Sequence, residues 1–177
     1  MLRRMLPAVS LLCAIMLAPA FSQNISVSKM ALMTFTGSVE VKAAPGQVWA
    51  ALTEIDKMKA WYPGWKNVAA TAKPLAAVGQ MLDYVDEWNN AGKTVVIYLA
   101  KNQELRLAHV PNDGSYVCQL KFKLEPKGAS TLVTAADQYS DALDVPTDKD
   151  TALIAKNGMM KYLAALKAVA EKGASVK

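Results

Sequence analysis

The sequence predicts one α+β domain: a seven-stranded antiparallel sheet, two short helices after its first strand, and a long C-terminal helix against one sheet face. Three observations carry this. Turn signals recur at regular distances at Asn89-Asn90-Ala91-Gly92, Lys101-Asn102-Gln103-Glu104, Pro111-Asn112-Asp113-Gly114 and Pro126-Lys127-Gly128. Strands joined so briefly lie antiparallel. Between these turns the residues alternate: Tyr116, Cys118, Leu120, Phe122 and Leu124 point one way, Gln119, Lys121 and Lys123 the other. A sheet with one dry face needs a partner layer, and Thr147 to Gly173 is the one stretch long enough to supply it.

Residues 1–22 have the layout of a secretory signal. Arg3 and Arg4 precede an apolar run from Leu6 to Leu17, and Ala18-Pro19-Ala20 fits a small-residue cleavage pattern; a cut after Ser22 fits nearly as well. The run is shorter than the roughly 18 apolar residues a membrane span needs, and Pro7 and Pro19 break it. Export to the periplasm or beyond is the expectation, with no stable span once the signal is gone. The remaining bounds are a leader over 23–29, the domain over 30–173 and a tail over 174–177.

Removal of the signal takes away Arg3, Arg4 and Cys13, so the formal charge falls from +5 to +3 and Cys118 stands alone. No internal disulfide can then form. The domain must rest on its hydrophobic core, and about 155 residues are enough to build one. The basic residues are scattered single lysines, with Arg106 the one arginine past the signal; without a basic run or an RNA-binding aromatic motif, nucleic acid is excluded as a partner.

From Met30 to Lys42 the chain alternates, with Met33, Phe35, Val39 and Val41 on one face and Gly37 marking a bulge. Ala44-Pro45 ends that strand and opens a helix carrying Val48, Ala51, Leu52 and Ile55, since proline is tolerated at a first helical position. A second short helix follows over Lys57 to Trp61. The corner Trp61-Tyr62-Pro63-Gly64-Trp65 has two readings, a plug for the end of the core or the rim of an apolar pocket. Asn67 to Ala72 is a weak strand. Gln80 to Trp88, Lys93 to Ala100, Leu105 to Val110, Ser115 to Glu125 and Ala129 to Tyr139 complete the sheet.

The last helix is marked at both ends. Thr147 and Asp150 form a capping box behind Pro146, Asp148 lies at the positive end of the helix dipole, and Lys167, Lys172 and Gly173 suit the other end. Its expected buried side holds Ile154, Ala155, Gly158, Met159, Tyr162, Ala165, Leu166 and Val169. Gly158 there costs about 1 kcal/mol relative to alanine. Either close packing or space left for a ligand would justify it.

The order strand, two helices, six strands, helix, with Ala44-Pro45-Gly46-Gln47-Val48-Trp49 opening the first helix, the Trp61-Tyr62-Pro63 corner and the Gly79 strand start, resembles the START-like or Bet v 1-like (SRPBCC) superfamily, nearest its polyketide cyclase/dehydrase-type branch. The resemblance runs from Phe35 to about Lys172. It implies a helix-grip fold, a seven-stranded sheet curled around the C-terminal helix with an elongated apolar cavity between them. Members bind lipids, sterols, hormones or polyketides, and a minority catalyse reactions on them.

The expected function is therefore an exported protein that holds a small hydrophobic ligand between sheet and helix. Trp61, Trp65, Tyr84, Trp88, Tyr98, Tyr116, Gly158, Met159 and Tyr162 are the candidate ligand contacts. The alternatives are a cyclase or dehydratase, and an accessory protein of a periplasmic redox system, which would need a protein partner. For the enzyme, Asp86 and His109 are the candidate acid and base. Strand parity sets Asp86 beside Leu82, Tyr84 and Trp88, either aimed into the pocket or paired with Lys93 or Arg106. His109, the only histidine, groups with Leu105 and Leu107 and excludes the usual zinc sets. No phosphate-binding glycine loop, serine nucleophile elbow or dinucleotide fingerprint is present, so no cofactor is expected.

Overall fold

The structure, a computed structural model, describes residues 32–62, 65, 67–68, 73–86, 89–114, 116–141 and 149–174. Strand β1 (Leu32–Val41) leads into helices α1 (Pro45–Thr53) and α2 (Ile55–Lys59). Strands β2 (Met81–Val85), β3 (Ala91–Ala100), β4 (Glu104–Pro111), β5 (Tyr116–Lys127) and β6 (Ser130–Asp141) follow, then helix α3 (Lys149–Ala174). The strands form one antiparallel sheet in the order β1-β6-β5-β4-β3-β2, curled against α3. The α+β helix-grip arrangement is as expected. Six strands are described where seven are expected: most of the weak strand over 67–72 lies outside the described residues, although the Asn67 N–H reaches the Val85 carbonyl at 3.4 Å. The signal, the leader and the Thr147 cap also lie outside them.

Helix α1 starts where proline allows. The side chain of Gln47 accepts the Ala44 N–H at 3.0 Å, and Val48, Trp49, Ala51 and Leu52 are buried. The second helix begins two residues earlier than expected, at Ile55, because Glu54 ends α1 in extended backbone and serves as the N-cap of α2.

The core fills the space between the inner sheet face and the helices. Phe122, Leu105, Leu107 and Leu120 from the strands meet Leu52, Met58, Trp65, Leu163 and Leu166, all fully buried. Two details of β1 and α3 depart from expectation. Gly37 is not a bulge, since its strand pairs with β6 in unbroken register. A Cβ there would lie 3.0 Å from Met159 Sδ and 3.1 Å from Leu163 Cδ1, so the glycine sits where α3 presses on the sheet. Gly158 is exposed with nothing within 4 Å of a Cβ, because the buried stripe of α3 runs through Met159, Tyr162, Leu163, Leu166 and Ala170 and Gly158 falls past its edge.

The far end of α3 is fastened to β1. The carboxylate of Glu171 accepts the Lys42 N–H at 2.7 Å, and Lys167 donates to the Glu40 carbonyl at 2.6 Å. Burial of one helix face together with such end contacts fixes the helix more firmly than helical propensity would.

Candidate functional site

Strand register lines up the polar side chains of the inner face. Thr94, His109, Cys118 and Tyr139 stand opposite one another across β3, β4, β5 and β6. On the next inward row Leu107, Leu120, Asp137 and Phe35 do the same. Because successive inward residues on one strand are about 7 Å apart, Tyr139 and Asp137 are close neighbours.

Over this surface lies an aromatic layer. Trp61, Tyr62 and Trp65 come down from the corner after α2, and Tyr162 from α3. Tyr62 stacks on His109 with ring centroids 5.6 Å apart and meets Tyr162 at 5.7 Å; Trp61 meets Phe122 at 5.7 Å and Tyr162 at 6.1 Å. Trp61 also donates its indole N–H to the Ala51 carbonyl at 2.8 Å. With Trp61 and Trp65 buried, the corner is a plug for the core and not an open rim.

Toward the other end of the inner face, Phe35, Tyr116 and Tyr139 are only half-buried although they point inward. Their rings pack against one another, Phe35 to Tyr139 and Tyr116 to Tyr139, each at 6.2 Å. Tyr84 is buried beside His109 at 5.5 Å, and its hydroxyl hydrogen-bonds with that of Tyr116. It stands over Gly92, where a Cβ would come within 2.6 Å of the Tyr84 hydroxyl and 2.5 Å of the Val110 carbonyl oxygen. Glycine leaves that tyrosine room to lie flat on the sheet.

Asp137 is the buried carboxylate of this surface, 4% exposed. Tyr162 donates its hydroxyl to Oδ1 at 2.7 Å. Burial pushes the carboxyl up to about 6, partly offset by that hydrogen bond. Burial, with the negative charge of Asp137 close by, holds the Tyr139 and Tyr162 phenols well above the ordinary tyrosine value, and burial takes the Cys118 thiol up to about 12. These groups are therefore hydrogen-bonding partners and not nucleophiles at neutral pH.

The two candidate catalytic residues are separated in role. Asp86 faces inward and is buried, as parity predicts, but its carboxylate accepts the Asn90 N–H at 2.8 Å and the Asn90 side-chain amide at 3.0 Å, holding the β2–β3 turn. The expected partners lie elsewhere: Lys93 pairs with Asp83, and Arg106 with Glu104. His109 Nδ1 shares a hydrogen bond with the Thr94 hydroxyl at 2.7 Å, while Nε2 is buried with no hydrogen-bond partner among the described residues. Burial lowers its pKa to about 3, so it stays neutral.

Of the candidate ligand contacts, Trp61, Trp65, Tyr84, Tyr116, Met159 and Tyr162 converge on the interior. Trp88 lies outside the described residues. Tyr98 does not face inward: the register shift between Val96 and Tyr98 inserts Ile97 as an extra residue, so Tyr98 emerges on the outer face, 43% exposed, under the Arg106 guanidinium at 4.9 Å. Gly158 is likewise outside the packed face. Asp137 and Phe35 were missing from the candidates. Alternation along β6, with Val133, Ala135 and Tyr139 on the side of Asp137, was the signal that could have found the acid. Among the described residues no three histidine, cysteine, aspartate or glutamate side chains gather as for a metal, and no helix is long and apolar enough to cross a membrane.

Residues 42–171 match the family described as Activator of Hsp90 ATPase homolog 1-like protein. Among solved structures, the chain is similar to protein MLL2253 from Mesorhizobium loti, at 16% identity, with 79% of this chain and 98% of that one covered and a TM-score of 0.60. It is similar to Ara h 8.0201, at 10% identity over 79% and 98% of the two chains and a TM-score of 0.62. The Aha1 dimer from Colwellia psychrerythraea is similar at 19% identity over 78% and 96%, with a TM-score of 0.59. No curated protein matches the chain.

Proposed function

We propose that this chain, which belongs to the Activator of Hsp90 ATPase homolog 1-like family within the START-like/Bet v 1-like superfamily, binds a small hydrophobic molecule on the inner face of its sheet. The observation that carries the reading is the set of inward-pointing but half-buried rings of Phe35, Tyr116 and Tyr139. By contrast, Leu105, Leu107, Leu120 and Phe122 on the central strands are fully buried. Each 100 Å² of apolar ligand surface removed from water there would contribute about 2.5 kcal/mol. The tyrosine hydroxyls and Asp137 would orient the ligand's polar end, as a few convergent polar groups do in most apolar sites. Export by the N-terminal signal is part of the same proposal.

Titration with the neutral fluorophore N-phenyl-1-naphthylamine tests this. Saturable binding of one molecule per chain is expected, weakened about tenfold by Tyr139→Ala through loss of ring contact, and unchanged by Tyr98→Ala on the outer face. Absence of saturation, or equal loss from both variants, overturns it. The cyclase reading gains no support from the site, because Asp86 holds the Asn90 turn and His109 shares its hydrogen bond with Thr94. The family's name supports a second reading, docking on a partner ATPase, which predicts stimulation of that ATPase by the full chain.

A further inference from the structure

Asp137 is a carboxylate surrounded by rings and aliphatic side chains. Tyr162 donates to its Oδ1, and no other hydrogen bond reaches it among the described residues. The half-buried rings lie beside it in succession: Phe35 is its partner across β1 and β6, Tyr139 is on the next inward row, and Tyr116 is one row beyond that.

Among the described residues, the buried inward positions of the six strands carry no lysine or arginine. The described inward residues of α3 are uncharged as well. The one basic group among all these, His109, is neutral. Among the described residues, lysine and arginine thus stay off this surface, while two carboxylates, Asp137 and Asp86, are buried along it.

A buried carboxylate served by a single phenol is short of donors, and a cation relieves that deficit best. Tyrosine faces attract cations by their quadrupole as well. A carboxylate or phosphate ligand would instead meet like charge, with no buried lysine or arginine among the described residues to balance it.

We infer that the molecule bound on the inner face is an organic cation, an apolar body ending in a primary or substituted ammonium group, with Asp137 as the counter-ion and the Tyr139 and Tyr162 rings beside it. This rests on the proposed hydrophobic site and names its ligand class. The burial that raises the Asp137 pKa to about 6 leaves it ionised above pH 7, at a desolvation cost that the cation would offset.

The test is displacement of N-phenyl-1-naphthylamine from the full chain at pH 7.5 by three ligands of equal chain length: decylammonium, 1-decanol and decanoate. Decylammonium is expected to bind at least about tenfold more tightly than decanol, with decanoate weakest, since a charge-assisted hydrogen bond is worth roughly twice a neutral one. Asp137→Asn, close to isosteric, is expected to abolish the preference for amine over alcohol. Equal affinities, a preference for decanoate, or a preference that survives Asp137→Asn would overturn the ligand class and leave the hydrophobic site standing. Failure of all three to displace the fluorophore would overturn both. The ranking in the unaltered chain decides the matter even where the variant does not fold.

Discussion

Asp137 and His109 lie one row apart on the inner face and titrate in opposite senses. For His109, folding lowers the pKa from the usual 6.5 to about 3. As pH falls below 6.5 the unfolded chain takes up a proton that the folded chain refuses, so stability is lost through that window. For Asp137, folding raises the value from 3.8 to about 6, so between those pH values the folded chain holds a proton the unfolded chain lacks, and its contribution to stability rises on acidification. The two partly cancel between pH 6 and 4, and below that the histidine dominates. His109→Gln is expected to remove on the order of 2 kcal/mol of the loss between pH 6.5 and 5 and to leave a protein that gains stability on mild acidification. Urea unfolding at pH 7, 5 and 4 reads this; an unchanged acid slope would mean that the histidine is not neutral in the fold.

At the scale of elements, the decisive contact is α3 on β1. A Cβ at Gly37 would stand 3.0 Å from Met159 Sδ and 3.1 Å from Leu163 Cδ1, so any larger residue makes these side chains give way. Gly37→Val should push the helix away and cost about 1–3 kcal/mol, in the range of core overpacking. Gly158→Ala should do the reverse: the position is exposed, nothing stands within 4 Å of a Cβ, and helix propensity favours alanine by up to about 1 kcal/mol. Thermal unfolding of the pair checks both signs. A destabilising Gly158→Ala would show that the glycine meets something the described contacts do not contain. The β3 bulge acts on the same scale, since one inserted residue, Ile97, turns Tyr98 out and lets Leu99 pack against the core.

For the whole molecule, the N-terminal signal and the domain make separate claims. Export predicts that protein recovered from the periplasm lacks its first 20 to 22 residues, which intact mass measures directly. Recovery of the uncut chain from the cytoplasm would remove export from the proposal and leave the binding site untouched.

The α+β class, the antiparallel meander, the start of α1 at Pro45 and the strand parity of Tyr84, His109, Cys118 and Phe122 were legible in the chain, because each follows from local periodicity or a local turn signal. Tertiary structure alone decided the rest. Whether Gly158 lies on the buried stripe depends on how α3 is rotated about its own axis, and Tyr98 depends on a bulge that strand pairing sets. That Trp61 and Trp65 plug the core instead of rimming it depends on a corner packed against strands and α3. Asp137 reads as one polar residue in an alternating strand until register brings it beside Phe35 and Tyr139 and α3 brings it Tyr162: desolvation and charge are properties of what surrounds a side chain in space, and local periodicity fixes only which way that side chain points.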